Sequence, residues 1–293
     1  MKSWYDLQAD LERVAKSQLF FIGGAPRSGT TWLTHLLNSH PDVCCGGEAL
    51  FNKHVAEPMH KLIDDWRVAV EGKNKGLFRE TGGFPLPGAE DEDLLIGTAI
   101  LHSLARLAGG RSWKAIGEKT PENVFTFPRL KRIFPAAKLV AIARDPRDVL
   151  TSGWHFFYKE KPGEDINAAK IAFIRLATPS MNKGARAILS LLEQYPRDCI
   201  MVTYEGMLAN PATAAQQMFG FLGVSNDKKV VDEAVAKSSF AAMSGGRSAG
   251  TTQNGSFFRK GVVGDWHSTL TPEMNDIIMR EMGWMFPHFG WKP

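Results

Sequence analysis

Short apolar runs separated by longer amphipathic stretches dominate the pattern of this chain. Residues 19–23 (LFFIG) are uninterruptedly apolar and end in glycine, which is typical of a strand buried on both faces of a parallel sheet. The runs 138–143 and 199–203 have the same character. Strands that alternate with helices predict an α/β fold with a central parallel sheet flanked by helices. The predicted helices are 30–38, 92–108, 123–133, 167–193, 211–222 and one that opens at Pro146.

The organisation of the chain favours one domain over its 293 residues, since no internal repeat and no shift in composition divides it. Residues 1–18 are polar and amphipathic, and they predict an N-terminal helical extension. Residues 71–91 and 244–256 are rich in glycine with proline, serine or threonine, so both are predicted to be loops.

Composition narrows the class of protein. Hydrophobic residues make up 44% and charged residues 23%, as in an ordinary soluble domain, and a net charge of +4 is too small to predict a nucleic-acid partner. No apolar run approaches the roughly 18 residues of a membrane span, and the N-terminus has no signal-peptide core. Three cysteines form no recognisable framework, so we expect a cytoplasmic protein. The oligomeric state, homo-oligomer included, stays open.

The strongest motif begins directly after the first predicted strand. Residues 24–31 (GAPRSGTT) follow the spacing of a nucleotide P-loop, which directs backbone N–H groups and a helix N-terminus at a phosphate. The lysine that contacts the β- and γ-phosphates in kinases and ATPases is replaced by Thr30. A cation, Arg27, lies inside the loop instead. The motif therefore predicts phosphate binding without a magnesium triphosphate.

Three motifs along the chain resemble, in their order, the motifs of one enzyme family. Residues 26–32 (PRSGTTW) resemble the 5′-phosphosulfate loop of the sulfotransferases that use 3′-phosphoadenosine-5′-phosphosulfate (PAPS). Residues 144–149 (RDPRDV) with Ser152 resemble the 3′-phosphate motif, and residues 258–261 (FRKG) resemble the RKG loop near the C-terminus of that family. The resemblance spans residues 19–270 and implies the P-loop-like sulfotransferase fold.

The resemblance also implies which residues hold the nucleotide. Arg144 ends a predicted strand and Ser152 follows eight residues later, about two helical turns, so both can grip one phosphate. Arg259 and Lys260 add two cations, and Gly261 permits close backbone approach. Trp32 would stack near the adenine. The residues assigned to the nucleotide are Arg27, Ser28, Gly29, Thr30, Thr31, Trp32, Arg144, Ser152, Tyr204, Arg259, Lys260 and Gly261.

The proton acceptor is implied by a different branch of the family. Many members use a histidine after Lys-Thr, but segment 118–121 here reads EKTP. Segment 40–48 (HPDVCCGGE) resembles that of the tyrosylprotein sulfotransferases, whose Gly-Glu supplies a catalytic glutamate, and heparan 3-O-sulfotransferases place the lysine of an EKTP segment at the active site. The resemblance thus implies Glu48 as general base, with Lys119 and Arg27 as cations on the transferred group.

Four other residues are alternative candidates for the general base. His54 and His155 are reserve candidates, and Glu122 and Asp42 are weaker ones. None of the eight histidines has metal-ligand spacing with a supporting cysteine or carboxylate cluster, so we expect no metal.

The predicted reaction is in-line transfer of a sulfuryl group from PAPS to a hydroxyl or amine of a small molecule, glycan or lipid. The alternatives are a P-loop kinase-like phosphotransferase and a non-catalytic nucleotide-binding module. Such a module would tolerate loss of Glu48. Acceptor-recognising residues are expected in 50–115, 155–185 and 240–258. The aromatic stretch 284–291 fits either the core or an apolar acceptor pocket.

Overall fold

A five-stranded parallel sheet forms the centre of the computed structural model, which describes residues 3–159, 161–253 and 256–293. The strand order is β2-β3-β1-β4-β5, and every neighbouring pair is parallel. This arrangement confirms the predicted fold class. The strands are β1 (Gln18–Gly24), β2 (Val43–Gly46), β3 (Ala115–Lys119), β4 (Lys138–Ala143) and β5 (Cys199–Thr203).

Helices cover both faces of the sheet and supply most of the remaining regular structure. Short turns of other helix types lie at Asn52–Ala56, Pro121–Phe125 and Asp265–Ser268. The α-helices are α1 (Trp4–Ala15), α2 (Thr30–Asn38), α3 (Glu57–Gly76), α4 (Ala89–Ala108), α5 (Phe127–Ile133), α6 (Pro146–Phe157), α7 (Ile166–Gln194), α8 (Tyr204–Ala209), α9 (Pro211–Phe221), α10 (Lys228–Lys237), α11 (Phe240–Met243), α12 (Pro272–Met282) and α13 (Met285–Phe289).

Two hydrophobic cores lie on opposite faces of the sheet because neighbouring strand residues point in opposite directions. Phe20 and Ile22 of β1 belong to the core beneath α2, α9 and α10. Leu19 and Phe21 belong to the core beneath α4, α7 and α12. Burial of both faces explains why β1 reads as a continuous apolar run rather than as an alternating one.

The strand order creates a crevice at the carboxyl edge of the sheet. β1 lies between β3 and β4, and the helices that follow β1 and β4 pack on opposite faces: Leu33 of α2 and Leu150 of α6 belong to different cores. Chain segments therefore diverge after β1 and β4. In doubly wound sheets this divergence is where ligands bind.

Several elements differ from the sequence prediction. β2 and β3 were not predicted, because β2 has four residues and β3 ends in charged residues that are nevertheless buried. The predicted loop 71–91 begins too early, since α3 continues to Gly76, and it ends too late, since α4 begins at Ala89. The predicted helix 123–133 is interrupted at Thr126, between a 3₁₀ turn and α5.

Candidate active site

The loop between β1 and α2 has the backbone of an anion-binding turn. Gly29 has φ 101°, and a Cβ there would lie 2.7 Å from Cδ2 of Tyr204. A Cβ on Gly24 would lie 2.3 Å from the carbonyl oxygen of Ile142. Ser28 is 0% exposed, and its hydroxyl has no hydrogen-bond partner within the described residues. A buried hydroxyl of this kind at a helix N-terminus fits an oxyanion.

Arg27 is held over the loop by contacts from distant segments. Its Nε donates to Oγ of Ser152 at 3.2 Å, and a terminal nitrogen donates to the carbonyl oxygen of Phe257 at 2.9 Å. The guanidinium lies 4.2 Å from the ring centre of Phe156 and 4.6 Å from that of Phe257. The residue itself has φ 71°, a left-handed conformation that is uncommon outside glycine.

Burial and like charges both act on this arginine. Burial, followed by the nearby charges of Arg144 and Arg259, lowers the pKa of Arg27 from its ordinary value to about 10. Burial and Arg144 also lower the pKa of Arg259. Three cations are therefore crowded together at a cost in free energy that a bound polyanion would relieve.

Arg144 extends from the end of β4 towards the same space. Its guanidinium lies 4.1 Å from the ring centre of Tyr204, and its nitrogens donate to the carbonyl oxygens of Arg27 at 3.3 Å and Val262 at 2.9 Å. Asp148 lies 3.7 Å away. The Asp148 carboxylate also accepts hydrogen bonds from the backbone N–H groups of Gly264 and Trp266, so it ties the segment after the RKG loop to α6.

The RKG loop is folded back onto an acidic residue. Arg259 and Lys260 both pair with Asp265, the latter at 2.6 Å. Gly261 has φ 66°, and a Cβ there would lie 2.3 Å from Cδ2 of Phe240, so a side chain is excluded. The loop thus places two cations beside Arg27 and Arg144.

These segments enclose a cavity of about 850 Å³, including its opening to solvent. Trp32 and Tyr204 form an edge-to-face pair with ring centres 5.2 Å apart on its wall. All the residues that the sequence assigned to the nucleotide line this cavity except Ser28, which is buried within the loop. The sequence missed five apolar lining residues because no motif marks them: Leu208, Phe240, Met243, Phe257 and Val262.

Glu48 and Lys119 meet at the neighbouring strand ends. Glu48 follows β2, Lys119 ends β3, and Lys119 Nζ donates to Oε1 of Glu48 at 2.7 Å. The lysine side chain is 6% exposed and that of the glutamate is 48% exposed. Neither residue lines the nucleotide cavity, so the pair forms a second cluster at the same edge of the sheet.

A buried carboxylate holds the backbone next to Glu48. Glu118 is 1% exposed, and it accepts from the backbone N–H of Ala49 at 3.0 Å, from Nδ2 of Asn123 at 2.8 Å and from the hydroxyl of Thr120. Burial raises the pKa of Glu118. The backbone N–H of Leu50 donates to the Thr120 hydroxyl at 3.3 Å. The sequence offered no signal for this role beyond the adjacency of Glu118 to Lys119.

The four alternative candidates for the base lie in surroundings that differ from those of Glu48. His54 lies exposed in the turn after Glu48, and His155 lies exposed on α6. Glu122 is exposed and lines a second cavity. Asp42 precedes β2, at the amino edge of the sheet, and pairs with Lys114 at 2.8 Å. Asp42 is therefore poorly placed to act as the base, because the phosphate loop lies at the opposite, carboxyl edge of the sheet.

Comparison with known proteins decides the family. Residues 20–228 match the family model described as "Sulfotransferase family", well over half of the 293-residue chain. The chain belongs to the sulfotransferase family. This membership confirms the resemblance, and the matched range contains the loop, the Glu48–Lys119 pair and Arg144.

Curated sulfotransferases are similar over part of their length. Protein-tyrosine sulfotransferase A of Caenorhabditis elegans is 27% identical over 73% of this chain and 52% of its own length. Protein-tyrosine sulfotransferase 2 of Gallus gallus is 27% identical over 71% of this chain and 51% of its own. Cytosolic sulfotransferase 5 of Arabidopsis thaliana is 31% identical over 49% of this chain and 51% of its own. The chain spans about half the length of these relatives.

Solved sulfotransferases share the fold. A mouse sulfotransferase complexed with PAP superposes with a TM-score of 0.57 at 18% identity, covering 97% of this chain and 93% of that one. The sulfotransferase domain of a Synechococcus olefin synthase gives a TM-score of 0.57 at 16% identity, covering 94% and 95%. The architecture is therefore that of the family over nearly the whole chain.

The described residues contain neither a candidate membrane span nor a candidate metal-binding cluster. No helix in that part of the chain combines the length and the apolar character needed to cross a bilayer. No group of three or more His, Cys, Asp or Glu side chains in residues 3–159, 161–253 and 256–293 is placed to hold a metal ion.

Proposed function

We propose that this family member transfers a sulfuryl group from PAPS to an acceptor hydroxyl or amine, leaving adenosine 3′,5′-bisphosphate (PAP). The observation that carries the proposal is the convergence of Arg27, Arg144 and Arg259 on one cavity beside a phosphate-binding loop. Three cations in partial burial call for a ligand with several negative charges. PAPS carries such charge at both ends.

The nucleotide would lie along the cavity with its two charged ends apart. The loop from Arg27 to Thr31 would hold the 5′-phosphosulfate with backbone N–H groups, the Ser28 hydroxyl and the guanidinium. Arg144, Ser152 and Arg259 would hold the 3′-phosphate, with Lys260 and Gly261 alongside. The Trp32–Tyr204 pair offers the aromatic surface for the adenine.

The chemical step needs a nucleophile, a base and fixed positive charge. The acceptor oxygen forms a bond to sulfur while the bond from sulfur to the bridging oxygen of the phosphosulfate breaks. The acceptor proton passes to the Glu48 carboxylate, and the bridging oxygen leaves with PAP. Arg27 and Lys119 would stabilise charge on the oxygens of the transferred group. The ion pair at 2.7 Å keeps Glu48 beside the lysine in this step.

The acceptor is proposed as a small molecule, glycan or lipid. The protein-tyrosine sulfotransferases among the relatives support a second candidate, the phenol hydroxyl of a tyrosine in a protein. A kinase-like phosphotransferase is disfavoured because Thr30 replaces the P-loop lysine. A non-catalytic nucleotide-binding module is disfavoured because the Glu48–Lys119 pair is present.

Location and metal independence belong to the same proposal. A cytoplasmic location is supported by the three unpaired cysteines and by the cytosolic relative from Arabidopsis thaliana. Metal independence is supported by Arg27 and Lys119, which supply positive charge that a magnesium ion supplies in kinases.

A transfer assay tests the proposal. The protein is incubated with PAPS and a panel of 2-naphthol, a tyrosine-containing peptide and a methyl glucoside, and release of PAP is followed with and without a chelator. We expect acceptor-dependent PAP release that the chelator leaves unchanged. Phosphorylation of the same panel with ATP and magnesium, in the absence of sulfation, would support the kinase-like alternative instead.

A further inference from the structure

A second cavity, of about 650 Å³ including its opening, lies against the other side of the phosphate loop. It is bounded by the backbone of residues 24–26, by the start of the segment that follows Lys119, by one side of α7 and by the C-terminal residues. The nucleotide cavity is bounded instead by residues 27 and 29–32 of that loop. Arg144 borders both cavities.

The lining of this second cavity is apolar. Ile188 of α7, Met285, Phe289 and Val124 are buried core residues that border it, and Phe125 is partly exposed at its edge. Arg144 and Glu122 are the charged residues of the lining. The lining residues therefore favour a ligand body without charge or many hydroxyl groups.

Arg144, the cation in the lining of the second cavity, makes its contacts with residues of the nucleotide cavity. The Arg144 guanidinium donates to the carbonyl oxygens of Arg27 and Val262 and lies over the Tyr204 ring, and all three of these residues line the nucleotide cavity. The second cavity consequently receives little of the positive charge that makes the first suited to a polyanion. Two cavities thus meet at one loop, and among the described residues one has four cations in its lining and the other has Arg144 alone.

In-line transfer explains why two pockets are needed. The attacking oxygen approaches the reacting atom from the side opposite the leaving oxygen. A nucleotide in the cationic cavity would present its sulfuryl group at the loop, and the acceptor would enter from the other side. Pro121 and Glu122 line the second cavity and lie two and three residues after Lys119 in the chain, so the wall of this cavity begins close in sequence to the Lys119–Glu48 pair.

We propose that the second cavity is the acceptor site and that the acceptor is a small, largely apolar molecule with a hydroxyl at one end. This inference rests on the proposed function and narrows it. A volume of about 650 Å³ lies in the range of pockets that enclose drug-sized ligands, roughly 300–1,000 Å³. Glycans are disfavoured, since an apolar lining leaves their hydroxyl groups without hydrogen bonds.

Calorimetry with 2-naphthol as probe, in the presence of saturating PAP, tests the inference without requiring turnover. Two variants obstruct the cavity: Ser180→Trp at its exposed rim and Ala185→Phe in its interior. Ala172→Phe, on the exposed side of the same helix and away from the lining, is the matched control. We expect 2-naphthol affinity to fall at least about 10-fold in both obstructing variants and to stay unchanged in the control.

The outcomes separate the inference from the proposed function. Wild-type affinity for 2-naphthol in a correctly folded Ser180→Trp variant overturns the acceptor site, as does tighter binding of a methyl glucoside than of 2-naphthol. PAP affinity, measured in the same titrations, should be equal in all four proteins. Absence of PAP binding to the wild type would instead contradict the proposed function. The rim variant keeps the test decisive if Ala185→Phe fails to fold.

Discussion

Glu48 and Lys119 differ sharply in exposure although they form one ion pair. The lysine is almost fully buried, whereas about half of the glutamate side chain is open to solvent. A buried ammonium without a hydrogen-bond acceptor is costly, and Glu48 supplies that acceptor to Lys119. The exposed side of that carboxylate is then free to receive a proton from an acceptor.

Glu48→Gln is therefore expected to lower kcat about 10²-fold, because an amide cannot accept a proton at neutral pH. The amide oxygen can still accept from Lys119, so the melting temperature should change little. PAP affinity should stay within about threefold of the wild type, since the removed charge is negative and the nucleotide is an anion. Steady-state kinetics and calorimetry measure both quantities.

The contrasting variants are His54→Ala and His155→Ala. If Glu48→Gln keeps more than about a third of wild-type turnover while one histidine variant loses most of it, the base is a histidine. A large fall in melting temperature with modest kinetic change would show that Glu48 is structural instead.

The ends of β2 and β3 form the element that positions this pair. Glu118 and Thr120 together accept from two consecutive backbone N–H groups after Glu48, those of Ala49 and Leu50. Leu50 has φ 53°, an uncommon conformation for a residue with a side chain, and these hydrogen bonds hold it there. We therefore propose that Glu118 positions Glu48 through the backbone that follows it.

Glu118→Gln should lower kcat about 10-fold and reduce stability by about 1–3 kcal/mol, because the amide group must turn an N–H towards one of three donors. A double-mutant cycle with Glu48→Gln distinguishes positioning from a general loss of structure. If Glu118 acts through Glu48, adding Glu118→Gln to the Glu48→Gln protein should slow turnover no further. Multiplying losses would contradict that role.

The five strands differ in how well the sequence predicts them. β1, β4 and β5 were predicted because their residues are apolar on both faces, and α2 begins and ends where its periodicity predicts. β3 was missed because it buries Glu118 and Lys119, whose burial depends on partners about 70 residues away along the chain. Likewise, the left-handed conformation of Arg27 and the second cavity arise only when distant segments pack together.

At the scale of the whole molecule, all three cysteines are free and shielded. Cys45 and Cys199 are buried and Cys44 is half-buried. Burial raises the pKa of all three thiols, that of Cys199 to about 11. At pH 8 the reactive thiolate is therefore scarce in the native protein.

An aromatic disulfide reagent should accordingly react slowly with the native protein and rapidly with three thiols once guanidinium unfolds it. Absorbance of the released aromatic thiolate at pH 8 gives both the reaction rate in the native protein and the number of thiols in the unfolded protein. A fast reaction of two or more thiols before denaturant is added would show that the packing around β2 and β5 is looser than described. Fewer than three thiols in denaturant would reveal a disulfide.

The cationic cavity joins β1, β4, α6 and the RKG loop, segments far apart in sequence, around one nucleotide. Affinity for PAP relative to AMP is the most direct measure of this assembly, since the two ligands differ by the 3′-phosphate. Charge-assisted hydrogen bonds contribute about 1.5–3 kcal/mol each, so losing two should cost roughly 10²–10⁴-fold in affinity. Calorimetry on the wild type and on Arg144→Ala should show that difference, much reduced in the variant. Affinities for PAP and AMP within about threefold of each other in the wild type would contradict the account.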